Sequence, residues 1–168
     1  SRDPLVSREA EVTFGIERDG ERVVGLALTA DRERREARRL GPETVLPSDH
    51  LRAGRVDEAV AAYRALHTQR PDDGGVAERR LNDFGYELAG RGEYAQAIAI
   101  LELNSELYPS SANTYDSLGE ILLRSGDRER ALAAYRKVLE ALPGDTAAAA
   151  ALKAQLGDNA RAKIDELT

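Results

Sequence analysis

The 168 residues include no cysteine, methionine or tryptophan and only two phenylalanines. Without cysteine there is no disulfide framework, no thiolate zinc site and no cysteine nucleophile. With so few aromatic residues the apolar bulk falls to leucine and to 27 alanines, which favours close packing of helices over a β-sandwich. Histidine is scarce as well: His50 and His67 stand alone, away from ligand spacing, so no metal is expected. No run approaches the 18 or more apolar residues of a membrane span. A surplus of positive charge is also missing. The formal charge is -6; residues 1–41 carry nine Arg against nine Asp and Glu, and the deficit lies in the remainder. Nucleic acid, which calls for a basic face, is therefore not an expected partner.

The chain begins Ser1-Arg2-Asp3-Pro4, with neither an initiator Met nor a signal-type apolar run. It reads as a piece excised or processed from something longer. Arg (21) far outnumbers Lys (3), a bias that, with the abundant alanine, points to a GC-rich bacterial genome. The compartment stays undetermined.

What is present is a repeat. Glu78–Ser111 lies over Ala112–Asp145 in an ungapped 34-residue register. Leu81 pairs with Tyr115, Phe84 with Leu118, Gly85 with Gly119, Leu88 with Leu122, Gly92 with Gly126, Ala97 with Ala131, Leu101 with Tyr135 and Pro109 with Pro143. Each unit predicts two helices: apolar residues three and four apart, a Gly followed by an acidic residue, then a second apolar stripe ended by Pro. Asp127 is placed to cap the second helix, and Glu93 complements the dipole of its counterpart. Gly85, Gly119, Ala97 and Ala131 are small where two helices of a tight hairpin must approach.

These residues resemble the tetratricopeptide repeat, whose unit has the same length and residue classes. Asn113 to Pro143 matches best, with Val138 in place of the usual small residue; Glu78–Pro109 follows, with Asn104 at that position. A degenerate copy over 42–71 keeps Gly54, Ala59, Tyr63 and Pro71, but Pro42 and Pro47 stand in its first helix, which predicts a shortened helix starting near Ser48. Asp72-Asp73-Gly74-Gly75 then inserts an extra turn of loop, predicting looser stacking. A capping helix is expected over 146–156, ended by Gly157-Asp158-Asn159, with a tail over 157–168.

The first 41 residues differ. Val12, Phe14 and Ile16, and then Val24, Leu26 and Leu28, alternate with polar residues around Asp19-Gly20, a hairpin signal. Strands are expected near 11–18, 21–29 and 33–40, the last an edge strand, where the five Arg within Arg32–Arg39 are tempered by Asp31, Glu33 and Glu36. The expected fold class is thus mainly α: a solenoid of antiparallel helix pairs over 42–168, preceded by a small antiparallel β-meander.

The order of parts resembles the C-terminal region of bacterial beta-lactamase-related serine hydrolases, through Glu17–Thr29, Arg32–Leu40, Leu81-Asn82-Asp83-Phe84-Gly85-Tyr86 and Tyr108-Pro109 to Glu120. That resemblance implies a Ser-x-x-Lys nucleophile on a preceding domain. No Ser in this chain has Lys at the third position after it; Ser125 meets Arg128. Gly-x-Ser-x-Gly, the phosphate loop and the zinc helix His-Glu-x-x-His are missing too. The expectation is no enzyme, no cofactor and no metal in this stretch.

What the repeat resemblance implies is protein or peptide binding on a concave face lined by first helices. In this sequence the face-lining positions are Arg79, Asn82, Tyr86, Asn113, Asp116, Glu120 and Arg124. Asp116 and Glu120 would repel a carboxylate-ended ligand. The partner is a separate protein or peptide, or the parent chain's own upstream catalytic domain. A homo-oligomer through the Ala-rich helix Thr146–Leu156 is a further alternative.

Overall fold

The computed structural model describes the backbone of residues 13–19, 22–30 and 33–38, and backbone and side chains of residues 45–168. Gly20, Arg32, Arg39, Leu40 and Pro42, on which parts of the expected meander and first repeat rest, lie outside the described residues.

The chain divides into two compact units, Ser1–Val45 and Leu46–Thr168. The expected fold class, a mainly α solenoid over 42–168 preceded by a small antiparallel β-meander, is corrected to an all-helical unit, Leu46–Thr168, and a separate compact unit that holds the strands. Residues 46–168 are all-helical, with no strand and no sheet among them. In the other unit, β1 (Thr13–Asp19), β2 (Arg22–Ala30) and β3 (Glu33–Arg38) pair antiparallel in that order, from Thr13 opposite Thr29 to Ala30 opposite Glu33. The register shifts between Glu17 and Arg18.

The helical unit holds α1 (Pro47–Arg52), α2 (Val56–Gln69), α3 (Glu78–Gly90), α4 (Tyr94–Leu107), α5 (Ala112–Ser125), α6 (Arg128–Ala141) and α7 (Ala150–Leu167). None of its helices is long and apolar enough to cross a membrane. Helix α1 is short, but it starts at Pro47 with Leu46 as the N-cap rather than at Ser48. Proline is tolerated at a first helical position because that N–H has no intrahelical acceptor anyway, and the Asp49 carboxylate reaches back to accept from the Leu46 N–H at 2.9 Å.

The two full repeats, α3/α4 and α5/α6, are built on one notch. In α3 Gly85 leaves room for Leu101 of α4, and in α5 Gly119 leaves room for Tyr135 of α6. Leu101 and Tyr135 are almost wholly buried. Around them Leu81, Leu88, Ala97, Ile100, Leu103, Ile121, Leu122, Ala131 and Val138 close the core; each large side chain so buried contributes about 1.5–3 kcal/mol.

Helix α5 ends at Gly126, whose φ of 92° few side chains adopt. The next N–H, of Asp127, then donates to the Leu122 carbonyl at 2.9 Å, and the Asp127 carboxylate caps α6 by accepting from the Arg130 N–H at 3.1 Å. Glu93, the matching residue before α4, makes no such bond. Asp127→Ala should therefore lower stability by about 1 kcal/mol while Glu93→Ala leaves it almost unchanged, as read from urea midpoints.

The insert before α3 is tied down rather than slack. Asp73 accepts from the Gly75 N–H at 2.9 Å, Val76 is fully buried, and Tyr108 Oη donates to the Val76 carbonyl at 2.9 Å. Tyr63 of α2 meets Phe84 of α3 edge-on at 6.4 Å.

The last helix corrects another expectation. It begins at Ala150, not 146, and runs unbroken through Gly157-Asp158-Asn159 to Leu167. Leu156, Gly157 and Ala160 are buried, and a Cβ on Gly157 would stand 3.2 Å from Leu142. Close packing there offsets the ~1 kcal/mol helix penalty of glycine. Residues 142–149 form the intervening loop, so α7 falls off the 34-residue register.

Candidate functional site

Helices α3 and α5 are equivalent members of successive repeats. Tyr86 on α3 and Glu120 on α5, 34 residues apart, join directly: Tyr86 Oη donates to Glu120 Oε2 at 2.8 Å. Burial, and then the Glu120 carboxylate, push the Tyr86 phenol up to about 12 against an opposing effect of Ser117. It stays a donor at neutral pH. Glu120 is shared with Arg124 one turn on, at 3.8 Å between Oε1 and Nη1.

Asp116, one turn before Glu120, accepts from the Asn159 amide of α7 at 2.7 Å. Burial raises its pKa above the ordinary 3.8; the Asn159 hydrogen bond opposes this and the neighbouring Glu120 charge adds to it. Asn82, one turn before Tyr86, is half-buried, and its Oδ1 is out of reach of solvent with no hydrogen-bond donor. Asn113 is half-buried in the first turn of α5, without a side-chain partner among the described residues. Arg79 points into solvent, its side chain 94% exposed, and reaches only Asp83, at 3.8 Å.

Three of the seven residues named from the sequence are joined by direct contacts, and three more share their helical stripes. Tyr86, Glu120 and Arg124 form a chain of contacts, Asp116 is tied to α7, and Asn82 lies on the same stripe of α3. Arg79 stands apart in solvent, and Asn113 keeps its amide free at the end of the stripe. The sequence reading missed Asn159 and the buried Ser117. Ser117 lies three residues before Glu120, on the same stripe, and was legible by helical spacing. Asn159 was not, because it lies 43 residues from Asp116, off the repeat period.

The remaining polar candidates have local partners. His50 Nδ1 accepts from Arg55 Nε at 3.3 Å, and His67 stands edge-on to Tyr108 at 5.7 Å. Among the described residues no group of three His, Asp or Glu side chains could hold a metal ion.

Residues 114–150 match the tetratricopeptide repeat family. That match concerns the repeat alone and says nothing of a serine hydrolase. The chain is also similar to solved structures. One is the crystal structure of PcrH in complex with the chaperone binding region of PopD, at 20% identity over 73% of this chain and 88% of that one, with a TM-score of 0.48. Two others are crystal structures of MamA, both at 17% identity, covering 74% and 72% of this chain and 69% and 67% of theirs, with TM-scores of 0.38 and 0.39. No curated protein matches.

Proposed function

We propose that the helical unit is a protein-interaction module that holds an extended segment of a partner on the face of α3 and α5. The observation that carries this reading is the Tyr86–Glu120 hydrogen bond across one repeat, which sets equivalent stripes of two helices side by side. Such a pair of stripes presents side chains at regular intervals to a chain laid across them. Asn113 offers an amide with no side-chain partner among the described residues, a group that binds peptide N–H and C=O without reading side-chain identity. Asp116 and Glu120 set the sign of the face, and a ligand ending in a carboxylate is disfavoured there.

The test is selection of a displayed random peptide library on the 168-residue chain. Enriched peptides should lose at least about tenfold in affinity, or ~1.4 kcal/mol, on the Asn82→Ala, Asn113→Ala, Glu120→Ala triple variant, with helix content unchanged by circular dichroism. They should bind alike with a free or an amidated C-terminus. No enrichment, or enrichment indifferent to the triple variant, removes the reading.

A further inference from the structure

Elsewhere in the helical unit the neighbouring helices α2 and α4 border an open cleft. Val56 and Val60 of α2 and Ala99 and Leu103 of α4 form its floor, with Asp57, Arg64, Glu102 and Glu106 around the rim. Val56, Val60 and Ala99 are only half-buried, so the floor is apolar surface left open to water. At one end the Arg64 guanidinium clasps Glu106 through two hydrogen bonds, of 2.8 and 2.7 Å. Among the described residues Arg64 is the one cation on the rim, and this pair neutralises it. Glu102 is shared with Arg130 of α6, outside the cleft, and Asp57 has no cationic partner among the described residues. The rim therefore carries three carboxylates, Glu106 paired with Arg64, Glu102 paired with Arg130 from outside the cleft, and Asp57 unpaired among the described residues, over an aliphatic floor.

We infer that this cleft docks a basic amphipathic helix of a partner protein, its aliphatic stripe on the Val56–Val60 and Ala99–Leu103 rows and its Lys or Arg side chains against Asp57 and Glu102. Two adjacent helices present ridges and a groove into which a third helix packs, and a helix laid in an apolar groove is read through side chains three and four apart. The acidic rim decides the sign of the flanking charges, because an acidic helix would meet like charge along both edges. This surface is distinct from the α3/α5 face, so either proposal can fail alone.

The test uses the full 168-residue chain and a fluorescein-labelled 14-residue peptide with Leu at helical spacing flanked by Lys, beside a twin with Glu for every Lys. Anisotropy should show the Lys peptide binding at least about tenfold more tightly than its twin, and more weakly as salt rises. Asp57→Lys with Glu102→Lys, both exposed, should cost at least about tenfold. Glu129→Lys with Asp165→Lys, an equal charge change outside the cleft, should cost less than about threefold, as should Asn82→Ala with Asn113→Ala. Absence of binding, equal affinity for the twins, indifference to the cleft reversal, or an equal loss in the distant reversal would overturn the inference.

Discussion

Asp145→Ala should destabilise the helical unit by about 2–4 kcal/mol at neutral pH, although Asp145 lies in the loop after α6. Its side chain, 2% exposed, accepts three backbone N–H bonds. Oδ2 takes the Ala112 N–H at 3.0 Å, and Oδ1 takes those of Ala147 and Ala148 at 3.1 and 2.9 Å. Ala112 is fully buried at the start of α5, so its donor has no water to turn to when the carboxylate is gone. Burial alone would raise the Asp145 pKa, but the bonds from Ala148, Ala112 and Ala147, with Lys153 nearby, outweigh it and hold the group below 3.8. A carboxyl depressed on folding contributes stability that is fully present above its unfolded pKa and is lost as pH falls through the folded value. Urea melts of the wild type and Asp145→Ala should thus differ most above about pH 4 and converge as the pH drops below that. A gap that stays constant down to pH 2 would show that the charge plays no part.

Asp145 also marks where sequence reading stops. Asp127, immediately before the helix it caps, announces itself by spacing alone, as do the small residues Gly85 and Gly119, because a 34-residue period repeats them. Asp145 caps a helix that began 33 residues earlier, and no local pattern marks an acceptor for a distant amide. Arg64 and Glu106, 42 residues apart, are as mute in sequence, and the cleft they close was not foreseen. Helix α7 shows a local signal overruled: Gly157-Asp158-Asn159 reads as a stop, yet packing of Gly157 against Leu142 carries the helix through. At the candidate site the stripe of α3 and α5 was legible because equivalent positions of a repeat share a face. The tie from Asp116 to Asn159 was not, because the loop of residues 142–149 displaces α7 from the period.

The two glycine notches look alike in sequence and should respond differently to a methyl group. A Cβ on Gly85 would stand 2.5 Å from Leu101 Cγ and 2.6 Å from Cδ2, whereas one on Gly119 would meet the Tyr135 ring no closer than 3.1 Å. Leu101 Cγ is a branch point on a side chain with no exposed surface, so relief requires the whole group to shift in a filled core. Overpacking of that kind costs about 1–3 kcal/mol, and alanine returns roughly 1 kcal/mol through helix propensity. Gly85→Ala should therefore lose up to about 2 kcal/mol, and Gly119→Ala, where the ring edge need give only slightly, should stay within about 1 kcal/mol of wild type. The larger effect belongs to Leu101→Ala, which opens a cavity and should cost about 2–5 kcal/mol. The pair separates clash from cavity. If Gly85 is small in order to admit Leu101, the double variant should be more stable than the sum of the single losses by about 1–3 kcal/mol, because the new methyl group enters the space the leucine left. Chemical denaturation of the four proteins measures that coupling directly, and strict additivity would mean that Gly85 is small for some other neighbour.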